Sequence, residues 1–443
     1  MNMYDTEVAE GLLQTSGFEI LRPEQGNIKM SRADFAPAGA DVVLLNTCSV
    51  REGAEDKVYG HINMFGKAKE LNPNLIIGLM GCMVEEHRDK LFKRFPQLDL
   101  MVGTRNIKEL PALVNDVYAN RRQVSRIKQD GLSIEYTDQI MRRGTLHAWL
   151  PIMTGCNKVC TFCIVPITRG SEVSMPARDV YREASRLVAE GVKWITLLGQ
   201  NVNSYDYEGN AETGVKRESD FPKLLDELCK IEGLERISFT TSHPQDATEE
   251  LYQVIAKNPK ISRRFHLPLQ SGSSRILKRM KRLHTFEQYL EKIKRMREVI
   301  PDISVTSDII TGFPGETEED HQETVRALQQ LKFDVTYIYK YSVRPGTPAA
   351  KLQDDVPGEV KDRRNSELLN LHRKIGEENS RVLIGKTLEV FVESGSPKSS
   401  EELKGRSYQE KPVIFSGSRD LLGKFVQIEI RDLKSETLLG VLK

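Results

Sequence analysis

Two hydrophobic periodicities alternate along this chain. From Asp41 to Gly103, apolar runs of strand length (Asp41 to Asn46, Leu75 to Met80, Leu98 to Val102) are separated by amphipathic stretches such as Ala54 to Lys69. The alternation predicts a small parallel α/β domain. Tyr118 to Gly144 is polar, with little periodicity, and reads as a linker. From His147 the alternation resumes, with helices at Arg178 to Glu190, Pro222 to Lys230, Glu249 to Lys257 and Glu318 to Leu331. The intervening strands are Trp194 to Leu198, Arg236 to Thr240, Ile303 to Ile310 and Val335 to Tyr341. Repeated βα units predict a closed or partly closed barrel, which binds ligands at the C-terminal ends of its strands. Gly199-Gln200-Asn201, Ser242-His243-Pro244 and Thr311-Gly312 all fall just past predicted strands, where polar and glycine residues can face a ligand. A charged helical stretch, Val360 to Arg381, then leads to short strands at Thr387 to Glu393, Pro412 to Phe415, Lys424 to Ile430 and Thr437 to Leu442. These predict a small β-barrel. The fold class is therefore α/β: a small parallel α/β N-terminal domain, a partial βα barrel and a C-terminal small β-barrel.

At 443 residues, 39% hydrophobic and 29% charged, the chain is long enough for two or three domains with their own cores. Its longest apolar runs fall far short of the roughly 20 residues that span a bilayer. Acidic Asp5 and Glu7 stand where a secretory signal would be basic and then apolar. No membrane association and a cytoplasmic location are expected. The formal net charge of +1 does not speak to nucleic acid, but Ile261 to Ile300 holds eleven Lys or Arg against three acidic residues. That run reads either as a solvated helix face or as a phosphate-binding surface.

Six cysteines are too sparse for a disulfide framework, and three crowd together in Gly155-Cys156-Asn157-Lys158-Val159-Cys160-Thr161-Phe162-Cys163, after an apolar strand at Trp149 to Met153. Three thiolates in one tight loop can each hold one iron of a 4Fe-4S cubane, leaving the fourth iron without a protein ligand. S-adenosylmethionine (SAM) can chelate that iron through its amino and carboxylate groups, and an electron from the cluster then cleaves the sulfonium to a deoxyadenosyl radical. The competing readings are a structural zinc, which normally wants four protein ligands, and buried thiols. Cys48 and Cys82 each end an apolar strand of one parallel sheet, so their side chains can converge on one edge, although spacing alone favours paired burial. Cys229, in an amphipathic helix, reads as a packing residue.

Over nearly its whole length the chain resembles the radical-SAM methylthiotransferases, and among them those acting on isopentenylated adenosine in tRNA. The resemblance rests on Asn46-Thr47-Cys48-Ser49-Val50-Arg51-Glu52, the loop from Gly155 to Thr168-Arg169-Gly170, Leu197-Leu198-Gly199-Gln200-Asn201-Val202-Asn203 and Phe239-Thr240-Thr241-Ser242-His243-Pro244. It continues through His266-Leu267-Pro268-Leu269-Gln270-Ser271-Gly272-Ser273, Gly312-Phe313-Pro314-Gly315-Glu316-Thr317, Arg344-Pro345-Gly346-Thr347-Pro348-Ala349-Ala350 and Gly423-Lys424-Phe425-Val426. Met175 departs from it, since the family usually carries arginine there.

The resemblance implies three domains: 1–125 with an auxiliary 4Fe-4S cluster, 142–375 as the radical-SAM barrel, and 378–443 as an RNA-binding barrel of the TRAM type. Cys156, Cys160 and Cys163 match the ligands of the SAM-binding cluster, and Cys48 and Cys82 match two of the three auxiliary-cluster ligands. Family members begin with a strand and Cys-x-Met-Asn, of which Met1-Asn2 matches only the end. The expectation is a chain that starts late, lacks one ligand and one strand, and holds only one cluster stably. The implied reaction replaces the C–H bond at carbon 2 of isopentenylated adenosine 37 with a methylthio group, using two SAM. Gly199, Gln200, Asn201, Ser242, Gln270 and Asp308, near strand ends, are candidates for contacts to SAM or substrate. The implied partners are tRNA and an electron donor such as flavodoxin or ferredoxin, with the enzyme a monomer. The rival readings are a sister methylthiotransferase acting on threonylcarbamoyl-adenosine or on a ribosomal protein, and a non-catalytic RNA-binding protein with structural zinc.

Overall fold

The computed structural model describes residues 1–21, 40–48, 52–127, 137–142, 144, 146–206, 219–396 and 401–443. Tertiary contacts divide the chain into two units, the first comprising Met1–Arg143, Thr154–Asn157 and Ile164–Val173 and the second the remainder.

In the first unit, four parallel strands lie in the order β1 (Val42–Thr47), β2 (Ile76–Gly81), β3 (Leu100–Val102) and β4 (Val124–Arg126). β2 and β3 are buried along their whole length, which is why they read as continuous apolar runs rather than alternating ones. Ile62 and Phe65 of helix Glu52–Leu71 pack with Leu75, Ile77, Leu79, Leu98 and Met101 to form the core. Two local expectations change. Helix Asn2–Thr15, to which the hydrophobic pattern assigned no element, buries Tyr4, Val8 and Leu12 at helical spacing, but Asp5 and Glu7 are buried with them and break the apolar stripe. The expected linker from Tyr118 begins too early, because helix Leu110–Asn120 runs through it and β4 follows. β4 is polar and only partly buried, so pairing with β3 rather than hydrophobicity recruits it. Residues 128–136 of that linker lie outside the described residues.

The second unit opens with β5 (His147–Pro151); the short strands β6 (Met153–Thr154) and β7 (Val173–Ser174) flank the cysteine loop. Six parallel strands then form the partial barrel. Three are β5, β8 (Trp194–Leu198) and β9 (Arg236–Phe239); the others are β10 (Arg264–His266), β11 (Ser304–Thr311) and β12 (Val335–Lys340). The two three-stranded sheets are stitched at Ile237, whose carbonyl accepts from the Ser262 N–H at 2.8 Å. The helices Ala177–Ala189, Phe221–Cys229, Glu249–Lys257 and Glu318–Leu331 start or stop within one residue of the predicted bounds. Their ends are marked by caps the sequence spells out, such as the Thr317–Asp320 capping box.

After helix Gly358–Arg381, five strands close a barrel in the order β13-β14-β15-β17-β16: β13 (Thr387–Gly395), β14 (Glu402–Ser407), β15 (Pro412–Ser416), β16 (Phe425–Lys434) and β17 (Thr437–Leu442). β14 was not foreseen, since Leu403 is its one large apolar residue. No helix among the described residues is long and apolar enough to cross a membrane.

Arg236 of β9 joins the two barrels. Its side chain is 1% exposed, its Nη1 donates to the carbonyls of Ser407 at 3.1 Å and Arg406 at 3.5 Å, and the rings of Trp194, Tyr408 and Phe425 surround its guanidinium. Arg236→Met removes the charge but leaves two carbonyls without a donor. We expect it to lower unfolding free energy in urea by about 2–4 kcal/mol, and a loss under about 0.5 would contradict this role.

Candidate cluster and S-adenosylmethionine site

Strand register brings the first pair of cysteines together. Thr47 of β1 lies opposite Gly81 of β2, so Cys48 follows one strand and Cys82, the first residue of helix Cys82–His87, follows the adjacent parallel one. Gly81 has φ 99°, and a Cβ there would sit 2.5 Å from the Thr47 carbonyl oxygen; only glycine lets β2 end this close to β1. The Thr47 hydroxyl donates to the Met80 carbonyl at 2.7 Å, and Asn2 Nδ2 donates to the Thr47 carbonyl at 3.1 Å, fixing the rim.

The same unit contains Cys156, whose N–H donates to the Gly170 carbonyl at 3.1 Å. Gly155 before it, at φ 74°, lies so close to the Ser171 carbonyl that a Cβ would meet it at 1.9 Å. Arg169 is 7% exposed, and its Nη2 pairs with Asp5 Oδ2 at 2.7 Å. Burial works against its charge, but the Asp5 carboxylate and the nearby Cys82 outweigh that, so the guanidinium is held above its ordinary pKa.

In the second unit, Cys160 and Cys163 close a turn, the Cys163 N–H donating to the Cys160 carbonyl at 3.2 Å. Arg282 Nη1 donates to Cys160 Sγ at 3.4 Å. Thr161 is clamped on three sides: its N–H donates to the Met280 carbonyl, its hydroxyl to the Arg279 carbonyl, and its own carbonyl accepts from the Ala349 N–H. Lys158 Nζ bonds Asp246 Oδ1 at 2.8 Å, and Asn201 Nδ2 bonds the other oxygen of that carboxylate at 2.8 Å. The cysteine loop is thereby tied to the strand-end loops after β8 and β9.

The expected SAM contacts divide into two groups. Asn201 Oδ1, Ser242 Oγ and Gln270 Oε1 are buried with no hydrogen-bond partner. An unpartnered buried polar atom costs about 1–3 kcal/mol, and a polar ligand at the strand ends would supply the missing bonds. Gly199 is held closely by Met153, whose Cγ would be 2.5 Å from an added Cβ. Gln200 is half-buried. Asp308 is already engaged, with Oδ2 3.3 Å from His266 Nε2, while His266 Nδ1 lies 2.9 Å from the Thr306 hydroxyl.

Two residues carry roles that the sequence reading did not assign, His266 and Arg282, while His243 falls just past β9 as the strand-end pattern predicts. His243 is 4% exposed; its Nδ1 accepts from the Gln245 N–H at 3.2 Å, and its Nε2 has no partner. Burial, reinforced by Arg282 and Lys158, pushes this imidazole well below the usual histidine range and keeps it neutral. His243 and His266 both stand in the quoted sequence blocks, but strand β10 spans only three residues and gave no periodicity to place His266 on an inward face. Arg282 was read as a surface cation.

Free thiols, a guanidinium on one sulfur and orphaned polar atoms past parallel strands fit a radical-SAM cluster with its SAM. The arrangement defines a radical-SAM protein with a small C-terminal RNA-binding type of barrel. Accordingly, residues 150–328 match the radical SAM superfamily, 381–443 the TRAM domain and 1–103 an uncharacterized protein family, UPF0004. The superfamily match implies a 4Fe-4S cluster and SAM. The tRNA-2-methylthio-N(6)-dimethylallyladenosine synthase of Carboxydothermus hydrogenoformans is 41% identical over 444 residues, covering 100% of this chain and 97% of the relative. That of Pelotomaculum thermopropionicum is 40% identical over 446 residues, covering 100% and 95%. The chain belongs to the tRNA-2-methylthio-N(6)-dimethylallyladenosine synthase family. Among solved structures, the radical SAM methyltransferase TsrM of Kitasatospora setae shares the fold, with TM-score 0.54 at 16% identity over 78% of this chain and 73% of that one.

Cys229 stands apart from all of this. Burial pushes its thiol up to about 11, so it carries almost no thiolate at neutral pH. Cys229→Ser is expected to leave iron content unchanged, and iodoacetamide at pH 7.5 to label Cys229 last in the folded, iron-free chain. Loss of iron in that variant would overturn the packing role.

Proposed function

We propose that this chain transfers a methylthio group to carbon 2 of the isopentenylated adenosine at position 37 of tRNA, consuming two SAM per turnover. The observation that carries this reading is the Thr47–Gly81 register, which sets Cys48 beside Cys82 in a chain that also bears the Cys156, Cys160, Cys163 loop. In this reading the loop holds the SAM-binding cluster, and Cys48 and Cys82 hold a second 4Fe-4S cluster. When bound, the cluster and SAM supply the carbon radical that removal of an unactivated C–H hydrogen requires.

The protein's own groups do the rest. Asn201, Ser242 and Gln270 orient SAM through their unpartnered oxygens, and Gly199 lets Met153 pack against the loop that carries Asn201. Asp308, steadied by His266, contacts SAM or substrate in this reading. Arg169 and Arg282 place positive charge against thiolates of the two sites. A one-electron donor such as flavodoxin or ferredoxin acts on a monomer in the cytoplasm.

Anaerobic iron and sulfide counting tests the cluster assignment. The Cys156, Cys160, Cys163→Ser triple variant is expected to lose about four irons per chain, and Cys48→Ser with Cys82→Ser to lose whatever iron remains. Unchanged iron in the double variant would show that Cys48 and Cys82, two of the three ligands the resemblance implies, do not by themselves hold a second cluster, and unchanged iron in the triple variant would remove the radical reading.

RNA contact falls to fewer cations than the charge run suggested. Arg264 pairs with Glu410 at 3.0 Å, Arg295 with Glu249 at 2.8 Å, and Arg275 with Asp320. Arg297 donates to the Leu331 carbonyl and Lys292 to the Ala247 carbonyl. Arg282, at 4% exposure, is withdrawn from the surface altogether. Lys278, Lys281 and Lys294 are the exposed cations of the stretch that bond no protein group among the described residues. Reversing these three to Glu is expected to weaken tRNA binding and to reduce the salt slope by ~1 per lost phosphate contact. Unchanged affinity at low salt would refute a phosphate-binding surface there.

A further inference from the structure

The segment Met280–His284 has a backbone that its residue types do not favour. Lys281 (φ 54°) and Leu283 (φ 59°) both occupy the left-handed region, and both are exposed. Non-glycine residues hold that conformation only where their surroundings enforce it, at a cost of roughly 1–3 kcal/mol each. Between them Arg282 is turned inward and is 4% exposed. Two strained residues thus serve to bury one arginine.

What the guanidinium meets there is unusual. Nη2 donates to the Pro268 carbonyl at 2.7 Å, Nη1 donates to Cys160 Sγ at 3.4 Å, and Nε has no partner. No carboxylate pairs with it among the described residues. The carbonyl of Arg282 accepts from His284 Nδ1 at 2.8 Å, and its N–H donates to the Leu277 carbonyl, so the backbone beneath the side chain is fixed. A buried cation is strongly unfavourable without a negative partner, and here the group it donates to is the sulfur of Cys160.

We infer that Arg282 is a positioning residue that donates to the Cys160 sulfur and, by its fixed positive charge, raises the reduction potential of the cluster held there. The inference rests on the reading of Cys160 as a cluster ligand. One-electron reduction adds a negative charge to the cluster, and a buried cation 3.4 Å from a ligand sulfur favours that form. A purely mechanical role, clamping the loop through Pro268, would change stability or iron retention and leave the potential where it was.

The test uses the full chain carrying Cys48→Ser and Cys82→Ser, so that only the loop binds iron. After anaerobic reconstitution, Arg282→Met, Arg282→Gln and Arg282→Lys are titrated with dithionite and followed by electron paramagnetic resonance, with iron counted on each. Both neutral variants are expected to titrate at a more negative potential. The reduction equilibrium should shift at least tenfold, ~59 mV for one electron, with Arg282→Lys in between. Neutral variants that retain iron and titrate at the parent potential overturn the inference. Should Arg282→Met fail to fold, Arg282→Gln and Arg282→Lys decide by the same criterion. A parent chain that binds no iron at the loop refutes the function reading itself, a result distinct from an unshifted potential.

Discussion

Parallel strand pairing is the constraint on which the chemistry depends. In a parallel sheet every strand runs the same way, so whatever follows each strand collects on one rim. In the first unit that rim carries Cys48 and Cys82, set in step by the pairing of Thr47 with Gly81. In the second it carries Asn201 after β8, Ser242 and His243 after β9, and Gln270 after β10, all with polar atoms that find no protein partner. A slip of one residue between β1 and β2 would turn Cys82 to the other face. The glycine at position 81 fits the observed pairing, since a side chain there would meet the Thr47 carbonyl.

Much of this was legible in the sequence because buried parallel strands and amphipathic helices write plain signals. Helices Glu249–Lys257 and Glu318–Leu331 and strand Thr437–Leu442 fall where periodicity and caps put them. The elements that escaped are those whose reason is not hydrophobic. β4 exists because β3 offers an open edge, β10 is too short to show a period, and β14 packs through Leu403 and a glycine against Phe391. The same holds at the site. Cysteine spacing pointed to the loop, but a cation run in sequence says nothing about which member turns inward. Arg282 belongs to a helical-looking basic stretch until the left-handed backbone on either side of it is seen.

Both cysteine sites have a buried guanidinium nearby: Arg282 donates to the Cys160 sulfur, and Arg169, paired with Asp5, lies near Cys82. Arginine suits this task because it stays charged when buried and offers several donors from one planar group, where lysine would be discharged or disordered. The two arginines differ in how they are balanced. Arg169 shares its charge with Asp5, whereas Arg282 faces sulfur and a carbonyl alone.

The packing of Arg236 bears on how RNA is received. With its guanidinium enclosed by rings contributed by both barrels, the C-terminal barrel is not a bead on a string but the far wall of the catalytic body. Tethered RNA-binding modules surrender orientational freedom each time they engage, and part of their affinity is lost in doing so. Here that freedom is already gone before any nucleic acid arrives.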